Sequence, residues 1–263
     1  MTNKIIPITV DPLETMRYCI IAGPRSGSTW LEFILIEHLK SIKMNPTRLG
    51  EFLQPVVARN EQFTLSNNNN IVYGKQQWVT DQETFEGRLA MILTGNHSQS
   101  ITMRLFPQNY FFNFVDYIDV ANKLTTCNFK FISLYRNTFA RALSWAVMDQ
   151  SSIIHLFNVN NIQYHTTFQG NKEKTSVEPF YVCPINFTRI LLMAVRDDIS
   201  RRMINDAVSV VEIDYDNLEQ DIQQLEINVL PTQISPVHEV PYNTLITNYD
   251  QLLDIYDKLN NTI

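Results

Sequence analysis

A run of glycine, hydroxyl and arginine side chains stands early in the chain, at Ala22-Gly23-Pro24-Arg25-Ser26-Gly27-Ser28-Thr29-Trp30. The chain has seven glycines, and two of them fall within this run. Glycine lets a backbone turn back on itself and bring its N–H groups close to a ligand. The hydroxyl groups of the run are hydrogen-bond donors, and Arg25 adds a positive charge. This combination predicts a loop that binds a phosphate-like anion.

The spacing within this anion loop differs from that of an ordinary nucleotide-binding P-loop. A P-loop reads GxxxxGKS or GxxxxGKT, with a lysine that reaches the β- and γ-phosphates. Here three residues separate Gly23 from Gly27, and Ser28 stands where the lysine belongs. The spacing therefore argues against a kinase or an ATPase, and a nucleotide-dependent phosphotransferase is the second interpretation of the loop.

The segment from Pro24 to Leu31 resembles the 5′-phosphosulfate loop of sulfotransferases that use 3′-phosphoadenosine 5′-phosphosulfate (PAPS). The resemblance implies that Arg25 steadies the bridging oxygen as the sulfuryl group leaves, in a reaction that needs no metal ion. Positioning and charge stabilisation carry most of such a transfer, as they do in phosphoryl transfer. The residues expected to hold the donor through this loop are Pro24, Arg25, Ser26, Gly27, Ser28, Thr29 and Trp30.

Two later segments are similar to further motifs of the same family. Arg136 follows the predicted strand Phe129–Leu134, and Ser144 lies eight residues later in a predicted helix, as in the family's 3′-phosphate motif. An arginine at the end of a strand can fork onto a phosphate, and a helical serine can donate a further hydrogen bond. The segment Val211–Leu218 resembles a strand-end motif whose tyrosine, here Tyr215, lies near the adenine or ribose.

The resemblance also suggests a base that removes the acceptor proton. Many cytosolic sulfotransferases use a histidine in a KTHLP-like segment, but the corresponding segment Ile101–Pro107 has Arg104 and no histidine. Arg104 is therefore expected to support the leaving group. The protein-tyrosine sulfotransferase branch uses a glutamate in an RCGEE segment, to which Arg48-Leu49-Gly50-Glu51-Phe52 is similar. Glu51 is the candidate base, and an apolar wall is expected beside it from Phe52 and Leu53.

One element of the family has no counterpart in this sequence. Many sulfotransferases close the 3′-phosphate site with a glycine-containing C-terminal loop, whereas no glycine follows Gly170 here. Arg201 or Arg202 is expected to complete the site, while Arg141 is expected to be an exposed helical charge. An inactive relative that binds the nucleotide is a third interpretation of the chain. Alternative bases are His38, His97, His155 and His165.

The elements that position these residues alternate between short apolar runs and longer helical patterns. This alternation predicts an α/β fold with a P-loop-like central parallel β-sheet flanked by helices on both faces. The predicted strands are Tyr18–Ala22, Ile71–Tyr73, Ser100–Leu105, Phe129–Leu134 and Val208–Ile213. The predicted helices are Thr29–Lys40, Gln82–Leu93, one after Pro107, Asn137–Met148, Ile185–Met203, Leu218–Leu225 and Leu245–Leu259.

Length and composition bound the remaining expectations. Residues 1–263 are expected to form one domain, with 151–184 as a lid or an acceptor-binding insertion. The net charge of −6 disfavours a general nucleic-acid binder, and no apolar run approaches the ~18 residues of a membrane span. Three scattered cysteines and no secretory signal predict a cytoplasmic protein without a disulfide framework or a zinc site. The expected partner is a small-molecule, carbohydrate or peptide acceptor.

Overall fold

The strand before the anion loop is the middle strand of the central sheet. The computed structural model describes residues 15–53, 63–67, 70–74, 82–94, 100–107, 115–156, 179, 181–225, 227 and 242–261. Their strands are Arg17–Ile21 (β1), Thr47–Gly50 (β2), Phe63–Asn67 (β3), Asn70–Gly74 (β4), Ile101–Leu105 (β5), Phe129–Tyr135 (β6) and Val210–Asp214 (β7). Five of them form an all-parallel sheet in the order β2-β5-β1-β6-β7.

Helices cover both faces of this sheet. They are Ser28–Ser41 (α1), Gln82–Thr94 (α2), Tyr117–Thr125 (α3), Thr138–Leu156 (α4), Pro184–Ala207 (α5), Leu218–Asp221 (α6), Tyr242–Leu245 (α7) and Tyr249–Asn260 (α8). Strand β1 is buried along its whole length, and successive side chains point to opposite faces. Cys19 and Ile21 pack in one cluster with α2 and α3, whereas Tyr18 and Ile20 pack in another with α1. The predicted α/β fold is therefore confirmed.

A third apolar cluster anchors α4, the helix that carries Ser144. It joins α4 to α5, α7 and α8 and has Phe139 near its centre. The ring of Phe139 lies 5.8 Å from that of Phe187, 5.6 Å from that of Tyr249 and 5.1 Å from that of Tyr256. Such aromatic pairs add stability beyond the area they bury. Ser144 is therefore presented from a helix that is packed on several sides.

The strand order places the anion loop at a switch point of the sheet. Strands β5 and β2 lie on one side of β1, and β6 and β7 lie on the other. In open α/β sheets, ligands bind beyond the carboxyl ends of the strands where the strand order reverses. The loop after β1 occupies this location, and the carboxyl ends of β5 and β6 flank it.

Two features of the strands differ from the prediction. The predicted strand Ile71–Tyr73 lies in β4, which pairs antiparallel with β3 outside the central sheet. The second strand of the central sheet is β2, which the sequence analysis missed. Strand β2 has four residues, and its register with β5 shifts between Arg48 and Gly50. A short, irregular strand with two polar residues lacks the alternation by which strands are recognised.

Some helix boundaries also differ from the prediction. Helix α4 continues to Leu156, so residues 151–156 are helical, and 157–178 of the predicted insertion lie outside the described residues. The predicted helix Leu245–Leu259 is divided between α7 and α8, and the helix expected after Pro107 begins at Tyr117. No helix in the described part of the chain combines the length and the apolar character needed to cross a bilayer.

Candidate functional site

The loop between β1 and α1 has the backbone of an anion-binding nest. Arg25 and Gly27 adopt left-handed conformations, with φ of 63° and 89°, on either side of Ser26. When right-handed and left-handed residues alternate, successive backbone N–H groups point into the same concavity, where they can bind an anion. Ser26 is fully buried and holds the turn, because its hydroxyl donates to the carbonyl oxygen of Gly23 at 2.7 Å. Pro24, between Gly23 and Arg25, is half-buried.

The first turn of α1 follows directly and supplies further N–H groups. The N–H groups of Trp30 and Leu31 donate to the carbonyl oxygen of Gly27, at 3.0 and 3.1 Å. Those of Ser28 and Thr29 come before the first helical hydrogen bond, as at any helix start. Among the described residues no side chain caps this end, and the first turn contains no acidic residue. The positive end of the helix dipole is therefore directed at the loop.

Arg25 is held by both residues of the second motif. Its Nε donates to Ser144 Oγ at 3.1 Å, and its carbonyl oxygen accepts from Arg136 Nη1 at 2.9 Å. Ser144 and Arg136 are themselves buried. Burial lowers the pKa of the Arg25 guanidinium, and the charge of Arg136 acts in the same direction. A guanidinium nevertheless keeps its proton at neutral pH, so Arg25 brings a positive charge into the loop.

Tyr215 lies against the other side of the loop. The guanidinium of Arg136 stacks over its ring at 4.6 Å, and the ring of Trp30 meets it edge-on at 6.4 Å. A Cβ atom on Gly27 would lie 2.2 Å from Cε2 of Tyr215, so this contact requires glycine. Burial raises the pKa of the Tyr215 hydroxyl, which therefore stays protonated at neutral pH. The structure thus brings Tyr215, Arg136 and the loop together.

Arg104 approaches the loop from β5. Its Nη1 donates to Thr29 Oγ1 and lies 3.1 Å from Glu51 Oε1. Arg104 is buried, whereas 17% of the Glu51 side-chain surface is exposed. The candidate base and the candidate cation are therefore an ion pair beside the start of α1. Phe52 and Leu53, expected as an apolar wall, are buried in the core cluster below β5.

Glu32 is a site residue that the sequence analysis missed. It lies on α1, one turn after Thr29, and is fully buried. It accepts hydrogen bonds from Arg48 Nε at 3.0 Å and from the N–H of Gly50 at 3.2 Å, and Arg104 Nε lies 3.1 Å from it. The available signal was a lone acidic residue between Leu31 and Phe33 in an otherwise apolar stretch of helix.

Arg141 corrects an expectation, because it is fully buried rather than exposed. Its guanidinium lies directly against Gly23, where a Cβ atom would be 2.6 Å from Nη2. Nη1 donates to Asp198 Oδ1 at 2.6 Å, and Nη2 lies 3.3 Å from Asp197 Oδ2. The expected exposed position is wrong because α5 brings two buried carboxylates, Asp197 and Asp198, to the Arg141 guanidinium. Arg141, Asp197 and Asp198 form a buried cluster that contacts the loop at Gly23.

Arg201, expected near the 3′-phosphate, lies on α5 and contacts strand β6. Its Nη1 donates to Ser133 Oγ at 2.6 Å, and its guanidinium lies 5.5 Å from the Tyr135 ring. It lines a cavity of about 490 Å³ at the carboxyl ends of β6 and β7, together with Tyr135, Arg202, Glu212, Ile213, Asp214 and Asp221. One lining residue, Asp214, immediately precedes Tyr215 in the sequence, but none of the lining residues belongs to the anion loop.

Among the alternative bases, His38 is the one whose side chain the structure describes. His38 is buried in the last turn of α1, and burial lowers its pKa. Nine residues of helix, or about 13 Å, separate it from Thr29. The side chains of His97, His155 and His165 lie outside the described residues.

Taken together, the anion loop is flanked by cations on both sides. Arg104 reaches it from β5 and Arg136 from the end of β6, the two neighbours of β1. Arg136 Nε is a buried donor without a hydrogen-bond partner among the described residues. Within the same residues, no group of three or more His, Cys, Asp or Glu is arranged to hold a metal ion. The arrangement can bind an anion with several oxygens next to the partly exposed carboxylate of Glu51.

No protein-family model matches this chain, and a comparison with curated proteins finds no match.

Proposed function

We propose that this protein transfers a sulfuryl group from PAPS to a hydroxyl or amine of an acceptor. The observation that carries the proposal is the pair of arginines on the strands next to β1. Arg104 donates to Thr29 at the start of α1, and Arg136 donates to the backbone of Arg25. Both are buried, so their charges are little screened by water.

Arginine at these positions favours sulfuryl transfer over phosphoryl transfer from ATP. P-loop enzymes neutralise the triphosphate with a loop lysine and a Mg²⁺ ion, which an aspartate of a neighbouring strand holds. In this chain Ser28 replaces the lysine, and the neighbouring strands bring Arg104 and Arg136. Fixed guanidinium groups would supply part of the charge that Mg²⁺ supplies in those enzymes, because Arg104 is itself paired with Glu32 and Glu51.

Three parts of the site would contact the donor. The nest and the start of α1 would hold the 5′-phosphosulfate, because their N–H groups have the geometry that binds anions. Arg136 and Ser144 would contact the 3′-phosphate, and the unpaired Nε of Arg136 is a buried donor suited to it. The Tyr215 ring, already stacked on Arg136, would lie beside the adenine or ribose. When bound, PAPS supplies an activated sulfuryl group.

The protein would then contribute charge and a base. Arg25 and Arg104 would neutralise the negative charge that develops on the leaving phosphate. Glu51 lies 3.1 Å from Arg104 and is partly exposed, and it would accept the acceptor proton. Small molecules, carbohydrates and peptides all offer suitable hydroxyl groups, so the acceptor class stays open to a screen.

The first test is a thermal-shift comparison of 3′-phosphoadenosine 5′-phosphate, AMP and ATP–Mg²⁺ at equal concentrations. A ligand at 100 times its Kd stabilises the folded state by about 2.7 kcal/mol. For a domain of this size that corresponds to a rise in Tm of about 5–10 °C. We expect this rise with the 3′-phosphorylated nucleotide and little change with AMP.

A rise with ATP–Mg²⁺ alone would refute the proposal and favour a phosphotransferase. No rise with any nucleotide would also contradict it. If the expected rise is found, a radiolabelled-donor screen identifies the acceptor. The Glu51→Gln variant should then lose about 10²- to 10⁴-fold in turnover, whereas an inactive relative would show no turnover to lose.

A further inference from the structure

The buried carboxylate of Glu32 contacts Arg104, the arginine that the proposed reaction places at the leaving group. It projects from α1 one turn after Thr29, and none of its surface reaches solvent. A carboxylate without water is strongly destabilised unless cations and hydrogen-bond donors surround it. The identity of those partners therefore shows what Glu32 holds in place.

The partners of Glu32 come from two neighbouring strands of the sheet. From β2, Arg48 Nε donates to Oε2 at 3.0 Å and the N–H of Gly50 donates to Oε1 at 3.2 Å. From β5, the hydroxyl of Thr102 donates to Oε1 at 3.5 Å, and Arg104 Nε lies 3.1 Å from Oε2. One carboxylate thus joins α1, β2 and β5 at the edge of the sheet that carries the anion loop.

The contact with Arg104 determines how that side chain faces the loop. A guanidinium is planar and rigid, so fixing one edge fixes the direction of the other. The Nε edge of Arg104 is in ion-pair contact with Glu32, while Nη1 faces Thr29 and Glu51. The Nε–H has no well-aligned hydrogen bond among the described residues, so electrostatic attraction is the main component of the contact.

Glu32 also fixes the position of Glu51 through the backbone. Gly50, whose N–H donates to Glu32, immediately precedes Glu51 and adopts a left-handed conformation with φ of 55°. Glu51 then pairs with the same arginine that Glu32 contacts. Two arginines and two glutamates, Arg48, Arg104, Glu32 and Glu51, therefore form a charge-balanced cluster.

We infer that Glu32 is a positioning residue of the anion site. It orients Arg104 toward the bound anion and holds the end of β2 from which Glu51 projects. The part of this inference that concerns sulfuryl transfer rests on the proposed function. The part that concerns Arg104 applies to any anion bound by the loop.

The test is a double-mutant cycle on ligand binding, measured by calorimetry with 3′-phosphoadenosine 5′-phosphate and with inorganic pyrophosphate. Arg104→Gln should weaken binding on the order of 10- to 100-fold, the effect of removing a charged hydrogen bond. Glu32→Gln should weaken it about 10-fold. If Glu32 acts through Arg104, the double variant binds no more weakly than Arg104→Gln alone.

A purely structural role for Glu32 would give a different result, because the two losses would then multiply in the double variant. That outcome overturns the inference. The matched control is Glu37→Gln, which removes the same charge from the exposed side of α1, where Glu37 pairs with Lys40 at 2.8 Å. It should leave both affinities within about twofold, since exposed ion pairs contribute little.

A second variant decides the question if Glu32→Gln does not fold. Arg104→Lys keeps the positive charge but has no planar fork to span Glu32 and Thr29. We expect it to bind both ligands at least about fivefold more weakly than the wild type, and wild-type affinity would overturn the inference. Pyrophosphate separates the two proposals. If the wild type binds pyrophosphate but does not prefer the 3′-phosphorylated nucleotide, the proposed function is refuted, and the cycle still decides the role of Glu32. If the wild type binds neither ligand, both proposals are refuted.

Discussion

At Gly23 a single methyl group should disrupt the contact between the loop and Arg141. A Cβ atom there would lie 2.6 Å from Nη2, 2.7 Å from Cζ and 2.8 Å from Nη1 of Arg141. Arg141 has no free direction in which to move, because Asp198 holds Nη1 at 2.6 Å and the carbonyl oxygen of Ala194 holds Nη2 at 3.0 Å. The Gly23→Ala variant must therefore displace a buried guanidinium from its partners.

The size of the effect follows from two opposing contributions. Removing one partner of a buried ion pair costs about 3–5 kcal/mol, which is an upper bound for displacing Arg141 from its partners. The backbone of Gly23 does not have a positive φ, so alanine is conformationally allowed and restricts the unfolded chain by about 0.4–1 kcal/mol. We expect a net loss of about 3 kcal/mol in the free energy of unfolding, which is a fall in Tm of about 6–12 °C.

The assay is urea unfolding monitored by circular dichroism, with Gly87→Ala as the matched control. Gly87 lies inside α2, and a Cβ atom there would meet nothing within 4 Å. Alanine should stabilise that helix by about 0.5–1 kcal/mol. The two substitutions are chemically identical, so their opposite signs isolate the contact with Arg141. If Gly23→Ala were no less stable than the wild type, the proposed support of the loop by Arg141 would be refuted.

The remaining predictions concern Asp197 and Tyr215. Burial raises the pKa of Asp197 to about 7 despite Arg141 nearby, so the folded chain binds this proton more tightly than the unfolded chain. The stability that the bound proton contributes is therefore lost as pH rises from about 4 to about 7. Asp197→Asn should therefore gain stability relative to the wild type across that window, by up to about 1.4 kcal/mol per pH unit, in urea unfolding at pH 5, 6 and 7; a constant difference would contradict this. Tyr215→Ala should weaken binding of 3′-phosphoadenosine 5′-phosphate about 10-fold through lost stacking, whereas Tyr215→Phe should stay within about twofold; equal losses would instead assign the effect to the hydroxyl.

The anion loop was predictable because its signals are local. A buried strand, two glycines with hydroxyl residues between and after them, and an apolar helix lie within about 25 consecutive residues. Backbone conformation and the free N–H groups of a helix start follow from neighbours in the chain. The structure places β1 at Arg17–Ile21 and begins α1 at Ser28, each within one residue of the prediction.

The later site residues could be identified from the sequence, but the side chains that they contact could not. Arg136 and Ser144 were expected at the 3′-phosphate, and their contacts with Arg25 appear only when β6 pairs with β1 and α4 brings Ser144 to the loop. Glu51 was expected beside an apolar wall, and its ion pair with Arg104 depends on the pairing of β2 with β5. The sequence states which groups are present, whereas the strand order decides which of them meet.

The amino-acid sequence by itself determined the α/β class, the loop after the first strand and the chemical character of that loop, because each depends on periodicity and on short-range backbone preferences. Only the tertiary structure decided that Glu32 is a buried partner of two arginines and that Arg141 lies beneath Gly23 rather than in solvent. Burial of a charged side chain is decided by the elements that cover it. Those elements, β2 and β5 for Glu32 and α5 for Arg141, are distant in the sequence, so no local pattern records the contact.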